Sequence, residues 1–356
     1  MIKILHSADW HLDSPLQQRG DQAARLRAEQ MKIPGKLAAL CKEKACDLVL
    51  LSGDLFDGAY AADTYRMVKQ ALEQMEVPVF ITPGNHDFIG QDSPWLQETW
   101  PDNVHIFTHP VIESVALPQL DCCVYGAGFI SMDCPGLMED FTLEQDEKYA
   151  IGILHGDPTQ TSSPYCPITN QQVQQSGLDY LALGHIHKGG SFTAGKTLCA
   201  WPGAPMGRGY DEEGEKGVLL VTIDTAVTTE FIPLDTPRFY DLEVAAGEDA
   251  ATALDSVLSP VGNEDYYRVT LTGPSQVLDL PRLQEAFSRF PNLVLRDRTS
   301  PPLDIWGTAG QDSFEGMYFG MLKQELDDAD QDTKPLVRLA AELSRKLMDG
   351  QEVVLP

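Results

Sequence analysis

The chain is short of positive charge, carries no CxxC pair, and has no apolar run approaching the roughly 18 residues that a membrane span needs. Its seven cysteines (41, 46, 122, 123, 134, 166 and 199) form an odd set, which argues against a disulfide framework and fits reduced thiols in a cytoplasm. The first ten residues, Met1 to Trp10, meet charged and polar side chains too soon for a secretory signal. Internal repeats and low-complexity segments are missing as well. Lys and Arg number 26 against 53 Asp and Glu, a formal charge of -27. That balance opposes non-specific attraction to polyanions. A nucleic-acid reading must therefore explain how a polyanion approaches.

What is present suits a soluble globular protein of two domains. The 356 residues exceed what one compact core usually covers, and 43% are hydrophobic. Short apolar runs alternate with helix-like stretches through the first two thirds. Ile2–Leu5, Leu48–Leu51 and Val77–Thr82 read as strands, with helical patterns at Gln22–Lys44, interrupted near Pro34-Gly35, and at Tyr65–Met75. Strands follow at Cys122–Ala127, Tyr149–Leu154, Tyr180–Leu183, Leu198–Trp201, Gly217–Ile223 and Thr228–Pro233. The early βα rhythm and the later crowd of strands predict an α/β domain in which two sheets pack face to face. Pro233 and Pro237 bracket a polar step, placing a boundary between domains 1–235 and 236–356. The second is a smaller α/β domain, closed by a helix at Pro335–Met348 with Leu336, Leu339, Leu343 and Leu347 on one face.

Five polar segments recur along the first domain: Asp9-Trp-His11, Gly53-Asp54-Leu-Phe-Asp57, Gly84-Asn85-His86-Asp87, His155-Gly-Asp157 and Gly184-His185-Ile-His187. Each follows a predicted strand, and in open α/β sheets ligands gather outside the carboxyl ends of the strands. Five of the eight histidines fall in these segments. Imidazoles mixed with carboxylates and an amide oxygen, without thiolates, suit manganese, iron or zinc. Asp9, His11, Asp54, Asn85, His155, His185 and His187 are too many ligands for one ion, and suffice for two that share a carboxylate. The glycines before Asp54, Asn85 and His185 allow a sharp bend at a strand end. In Asp-x-His and His-x-His, alternate residues of an extended segment would face one cavity.

This pattern resembles the calcineurin-like metallophosphoesterase superfamily, with its DxH, GDxxD, GNHD/E, later His and GHxH. The resemblance implies a four-layer α-β-β-α sandwich. It implies one ion on Asp9, His11 and His187, a second on Asn85, His155 and His185, and Asp54 between them. It also implies His86 as the general acid, Asp57 orienting it, and a water shared by the ions as nucleophile. Within the superfamily, the closer resemblance is to the DNA repair exonuclease branch, the bacterial SbcD/YhaO-like proteins. It rests on Ile4–Leu12, on Leu48–Asp57, and on Trp201–Arg208 followed by Glu215–Val221. Asp57 stands where eukaryotic and archaeal relatives often carry histidine, and Asp13-Ser-Pro15 replaces a glycine common in the branch.

The branch resemblance implies a manganese-dependent DNA exonuclease or endonuclease subunit, a C-terminal capping domain, and an SbcC-like coiled-coil ATPase partner. A homodimer stays open. Lys188 and Arg208, with Lys216, are candidate phosphate contacts, and the acidic balance favours a partner that supplies most of the DNA affinity. Two alternatives stand beside this reading. One is a nucleotide or cyclic-nucleotide phosphodiesterase or phosphoprotein phosphatase on the same scaffold, the other a non-catalytic docking subunit of an ATPase. His6 is expected to pack behind the site, and Trp95, Trp100 and Trp306 to pack in cores rather than stack on bases.

Overall fold

The run Leu48–Leu51 is apolar at every position, and its side chains divide between two cores. Leu48 and Leu50 belong to one and Val49 and Leu51 to the other, the period of two that a strand imposes. Ile4 and Leu5 divide in the same way. Such strands must be covered on both faces.

The computed structural model describes residues 1–16, 20, 22–139, 141–143, 147–258 and 264–351. They form two units, Met1–Tyr240 with Glu264–Tyr266, and Asp241–Asn263 with Tyr267–Pro356. The first unit begins with β1 (Ile2–Ser7), α1 (Gln22–Gln30), α2 (Ile33–Lys44), β2 (Leu48–Leu51), α3 (Ala62–Met75), β3 (Val79–Ile81), α4 (Pro94–Gln97) and β4 (Val104–Ile106). It continues with β5 (Glu113–Leu117), β6 (Cys122–Gly126), β7 (Tyr149–His155), α5 (Asn170–Ser176) and β8 (Tyr180–Gly184). It closes with β9 (Lys188–Ala194), β10 (Thr197–Gly203), β11 (Gly217–Ile223) and β12 (Val227–Pro233).

These strands build two mixed sheets. One has the order β12-β11-β1-β2-β3-β4, the other β5-β6-β7-β8-β10-β9. The central strands β1 to β4, and likewise β6, β7, β8 and β10, run parallel, while the flanking strands are antiparallel. Ile4, Leu50 and Phe80 of the first sheet share one core with Val124, Ile151, Ile153 and Tyr180 of the second, so the sheets face each other. On the outer face of the first sheet, Leu37 of α2 and Val68 and Leu72 of α3 cover Val49, Leu51 and Ile81. The outer face of the second is covered thinly, by Val173 of the seven-residue α5 and by Phe129, Met138 and Ile168 from loops.

Two details depart from expectation. The break in the first helical stretch falls at residues 31 and 32, and Pro34 lies in the first turn of α2. A proline there loses no intrahelical hydrogen bond. The first unit also extends past residue 235, because Phe239 and Tyr266 stack at 4.7 Å inside its core.

The second unit comprises most of β13 (Phe239–Ala245), α6 (Ala250–Leu258), most of β14 (Tyr266–Pro274), α7 (Leu280–Ala286), β15 (Leu293–Ser300), α8 (Phe314–Asp328) and α9 (Lys334–Met348). Its sheet has the order β13-β14-β15, with β14 and β15 parallel. Trp306 packs edge-on against Phe319 of α8, and Arg345 of α9 pairs with Glu315. Among the described residues no helix is long and apolar enough to cross a membrane.

Candidate metal centre

All five polar segments lie at the carboxyl ends of parallel strands. Asp9 and His11 follow β1, Asp54 follows β2, Asn85 follows β3, His155 ends β7, and His185 and His187 follow β8. The loops after β1 and β2 continue to hydrogen-bond beyond the strands: Asp9 N donates to Gly53 O at 3.0 Å, and His11 N to Asp54 O at 2.9 Å. The convergence does not arise from extended alternation. Asp9, His11, Asp54 and His185 have φ values of 55°, 48°, 54° and 93°, in the left-handed region that side chains normally avoid. Left-handed kinks aim these side chains inward.

The glycines serve two different purposes. Gly53 has φ 88°, where a side chain would be strained. Gly84 and Gly184 have ordinary φ values, but a Cβ at Gly84 would collide with Asp54 Oδ1, and one at Gly184 with the Ser52 carbonyl. Close approach of the loops, not backbone freedom, requires them.

The seven ligand candidates meet. Ligand atoms of Asp9, His11 and His187 lie within 4.8 Å of one another, as do those of Asp9, Asp54 and His155. Asn85 Oδ1 is 3.0 Å from His155 Nε2 and 3.1 Å from His185 Nδ1. Asp54 Oδ2 stands 3.7 Å from His11 Nε2 and 3.4 Å from His155 Nε2, between the two groups. His155 Nδ1 lies 2.8 Å from the Ser52 carbonyl, which can only accept, so that nitrogen carries the proton. The lone pair of neutral His155 is thereby left on Nε2, turned to the centre. His11 Nε2 and His187 Nε2 face each other at 3.0 Å. Two bare lone pairs at that distance repel unless a proton or cation lies between them, so the donor set fits divalent ions.

Charge confirms how tightly the groups are coupled. Burial alone would raise the Asp54 carboxyl, but His155 and His11 hold it well below the usual carboxylate range. Burial likewise opposes a charge on His155, yet Asp54 and the Ser52 carbonyl push it up to about 9. His185 falls to about 4 through burial and the nearby His155. Two buried carboxylates and four imidazoles at such spacing attract a cation strongly.

His86 and Asp57 sit at the edge of this cluster. His86 Nδ1 is 2.6 Å from Asp57 Oδ1, and the His86 side chain is 41% exposed. The hydrogen bond to Asp57 raises its pKa, against the opposing effect of burial. Asp57 also lies 3.4 Å from His11 Nδ1. His86 is close enough to His11 and Asp54 to join them around an ion. Its hydrogen bond to Asp57 and its exposure distinguish it from the buried ligands.

Two further residues serve the centre without having been assigned a role from the sequence. Asp87, buried, accepts from Gly84 N at 2.7 Å and Leu55 N at 2.8 Å, tying the loops after β2 and β3 together. Burial and the charge of Asp54 push it up to about 7. Glu212 Oε1 lies 2.7 Å from His187 Nδ1, and its other oxygen accepts from Arg208 N at 2.9 Å. Burial would raise Glu212, but His187 and Arg208 bring it down to about 2. Asp87 had a sequence signal, the end of Gly-Asn-His-Asp; Glu212 lies 25 residues beyond His187 in a loop with no motif.

The remaining candidates divide. Arg208 lies behind His187, paired with Glu212 at 3.3 Å, while Lys188 is exposed at the start of β9. His6 is buried between Tyr180, Ser52 and the Leu183 carbonyl, and burial lowers it to about 3. It packs beneath the centre, its ring hydrogen-bonded to these three residues. Trp95 is buried, donates to the Asp87 carbonyl and stacks on Trp100 at 5.3 Å, a packing role. All seven cysteines are free and buried.

Residues 2–189 match the family model described as Calcineurin-like phosphoesterase. A curated relative, the "Uncharacterized metallophosphoesterase YhaO" of Bacillus subtilis, is 31% identical over 239 residues, which cover 62% of this chain and 57% of the relative. The chain thus spans little more than half the length of that relative. Among solved structures, TT1561 of Thermus thermophilus is 14% identical with a TM-score of 0.40, covering 65% of this chain and 98% of its own. A dimetal phosphatase from Danio rerio is 12% identical with a TM-score of 0.41, covering 65% and 98%.

Proposed function

Since the chain belongs to the calcineurin-like phosphoesterase family, we propose that it is a two-metal phosphodiesterase that cleaves DNA as the nuclease subunit of an SbcCD-like repair complex. The single observation carrying the chemistry is the exposed His86–Asp57 pair, at 2.6 Å, on the rim of a buried cluster of carboxylates and imidazoles. Asp9, His11 and His187 would hold one ion and Asn85, His155 and His185 the other, with Asp54 shared. The thiolate-free set of imidazoles and carboxylates suits manganese, iron or zinc, and the branch resemblance favours manganese. When bound, the ions would supply Lewis acidity and a nucleophilic water near neutral pH.

The chain's own residues supply the proton. Asp57 holds the His86 ring through Nδ1 and keeps it protonated at higher pH, which leaves the other ring nitrogen to protonate the departing oxygen. Such general acids contribute roughly 10²–10⁴-fold. Buried Asp54 accepts from His86 N at 2.9 Å, so the acid is held in register with the ligand set.

The resemblance of Ile4–Leu12, Leu48–Asp57, Trp201–Arg208 and Glu215–Val221 to the DNA repair exonuclease branch supports DNA as the polymer. A net charge of -27 disfavours strong DNA binding by this chain alone, and supports an SbcC-like coiled-coil ATPase that brings the DNA. The test incubates manganese-loaded protein with end-labelled duplex and single-stranded DNA, and separately with bis-p-nitrophenyl phosphate, each with and without the ATPase. Cleavage of DNA is expected to rise when the ATPase is present. Cleavage of the small diester but of neither DNA under either condition would favour a nucleotide phosphodiesterase instead.

A further inference from the structure

Beside the metal centre, and bounded by His187, lies a groove of about 410 Å³ between the outer strands of the two sheets. Lys188 and Gly190 of β9 and Trp201 of β10 form one side, and Lys216, Thr229 and Phe231, on or next to β11 and β12, form the other. Its size falls within the roughly 300–1,000 Å³ range of small-molecule sites.

Lys216 is the unusual member. The residue is 8% exposed overall and lines the groove. Its stem is buried while its ammonium lines the groove, where an anion can reach it. Burial lowers its pKa, and the more distant Glu212 and Asp211 only partly offset this. Lys188 adds a second positive charge. Of the two glutamates on the rim, Glu215 is paired with Arg238 at 2.9 Å.

The groove also offers ring surface. Trp201 is paired across the strands with Gly190, and a Cβ there would strike its indole. A glycine therefore lets the ring lie against the backbone of β9, where its Nε1 donates to the Lys188 carbonyl at 2.9 Å. Phe231 is 41% exposed, although apolar. Two lysines and exposed aromatic surface in one groove suit a ligand that is anionic at one end and flat and aromatic at the other.

We propose that this groove is a nucleotide subsite, in which Lys216 and Lys188 bind a phosphate neighbouring the scissile one and Trp201 and Phe231 receive the attached base. The assignment rests on the phosphodiesterase reading for the position of the scissile group. It narrows the substrate class to phosphodiesters that carry a nucleoside, and sets phosphoproteins and simple phosphate esters aside.

Thymidine 5′-monophosphate and inorganic phosphate are the probes, titrated calorimetrically into the metal-loaded full chain. Stacking of one base is worth roughly 1–3 kcal/mol, so the nucleotide is expected to bind on the order of 10-fold more tightly than phosphate. Trp201→Ala should abolish that difference. Lys216→Met, which keeps the buried stem, should weaken nucleotide binding about 10-fold, the scale of one charged hydrogen bond, while Lys216→Arg preserves it. Equal affinity for both probes, or unchanged nucleotide binding in Trp201→Ala and Lys216→Met, would overturn the subsite. If the unmodified protein also hydrolyses bis-p-nitrophenyl phosphate, that failure leaves the phosphodiesterase reading standing. Nucleotide binding through Trp201 and Lys216 without hydrolysis of any diester supports the subsite and refutes the enzyme.

Discussion

Glu212 Oε1 lies 2.7 Å from His187 Nδ1, with Arg208 Nη2 3.1 Å from the same nitrogen. A carboxylate can only accept, so its pairing favours the proton on Nδ1 and the lone pair on Nε2, which faces His11. The carboxylate thereby selects the tautomer able to bind a metal and fixes the plane of the ring.

Replacement of Glu212 by Gln removes the charge but not the shape. Carboxylate partners of ligating histidines are typically worth 10–100-fold in metal affinity. Equilibrium dialysis of Glu212→Gln against manganese should show a loss of that size. Affinity equal to the unmodified chain would mean that His187 is oriented by packing alone.

His86→Ala should keep both metals and lose roughly 10²–10⁴-fold in turnover on an unactivated diester. Metal content and kcat are read on the same preparation. Full turnover in this variant would remove His86 from the mechanism.

Chelation is expected to lower thermal stability. An ion present at 100 times its Kd stabilises the folded chain by about 2.7 kcal/mol. Differential scanning calorimetry with and without a chelator measures the effect, and an unchanged Tm would argue against ion binding in the folded state.

Gly84→Ala tests why the loops approach so closely. Its Cβ would overlap Asp54 Oδ1 and stand 2.8 Å from the His155 ring. Overpacking of this kind costs about 1–3 kcal/mol. Urea unfolding should show that loss, accompanied by weaker metal uptake, whereas unaltered stability would show that the loops can yield.

His6 gives a pH dependence. Its folded pKa is about 3, below the ordinary 6.5, so the unfolded chain binds the extra proton as pH falls. The stability of the neutral, buried form is fully present above 6.5 and is lost progressively between 6.5 and about 3. One such proton contributes a slope of about 1.4 kcal/mol per pH unit. His6→Gln should flatten the acid limb of stability against pH by up to that slope, whatever its effect at neutral pH. An equally steep limb would show that His6 is not titrating between the two states.

The ligand set was legible because its chemistry is local. Asp-x-His, Gly-Asp, Gly-Asn-His and His-x-His each place donors within a few residues of a strand end. The two cores were legible for the same reason, since Leu48–Leu51 and Ile151–Ile153 are apolar at consecutive or alternating positions. What could not be read depends on distant partners. Asp87 ties its own loop, through Gly84 N, to Leu55 N 32 residues away, and Glu212 works only by meeting His187. Strand β9, Lys-Gly-Gly-Ser-Phe-Thr-Ala, is mostly exposed and has no apolar signal; pairing with β10 makes it a strand. The left-handed kinks at Asp9 and His11 fall on residue types that tolerate positive φ, and hydrogen bonds to the loop after β2 hold them there.

The origin of the ligands has a consequence for assembly. Asp9, His11, Asp54 and Asn85 come from one sheet and His155, His185 and His187 from the other. An ion that takes donors from both groups staples the two sheets together, a task that disulfides perform in many proteins and that seven free, buried thiols leave undone here. Neither sheet alone can assemble the full donor set. Metal capture therefore marks the moment when both halves of the sandwich have met, and an ion held at full strength is a certificate that folding has finished.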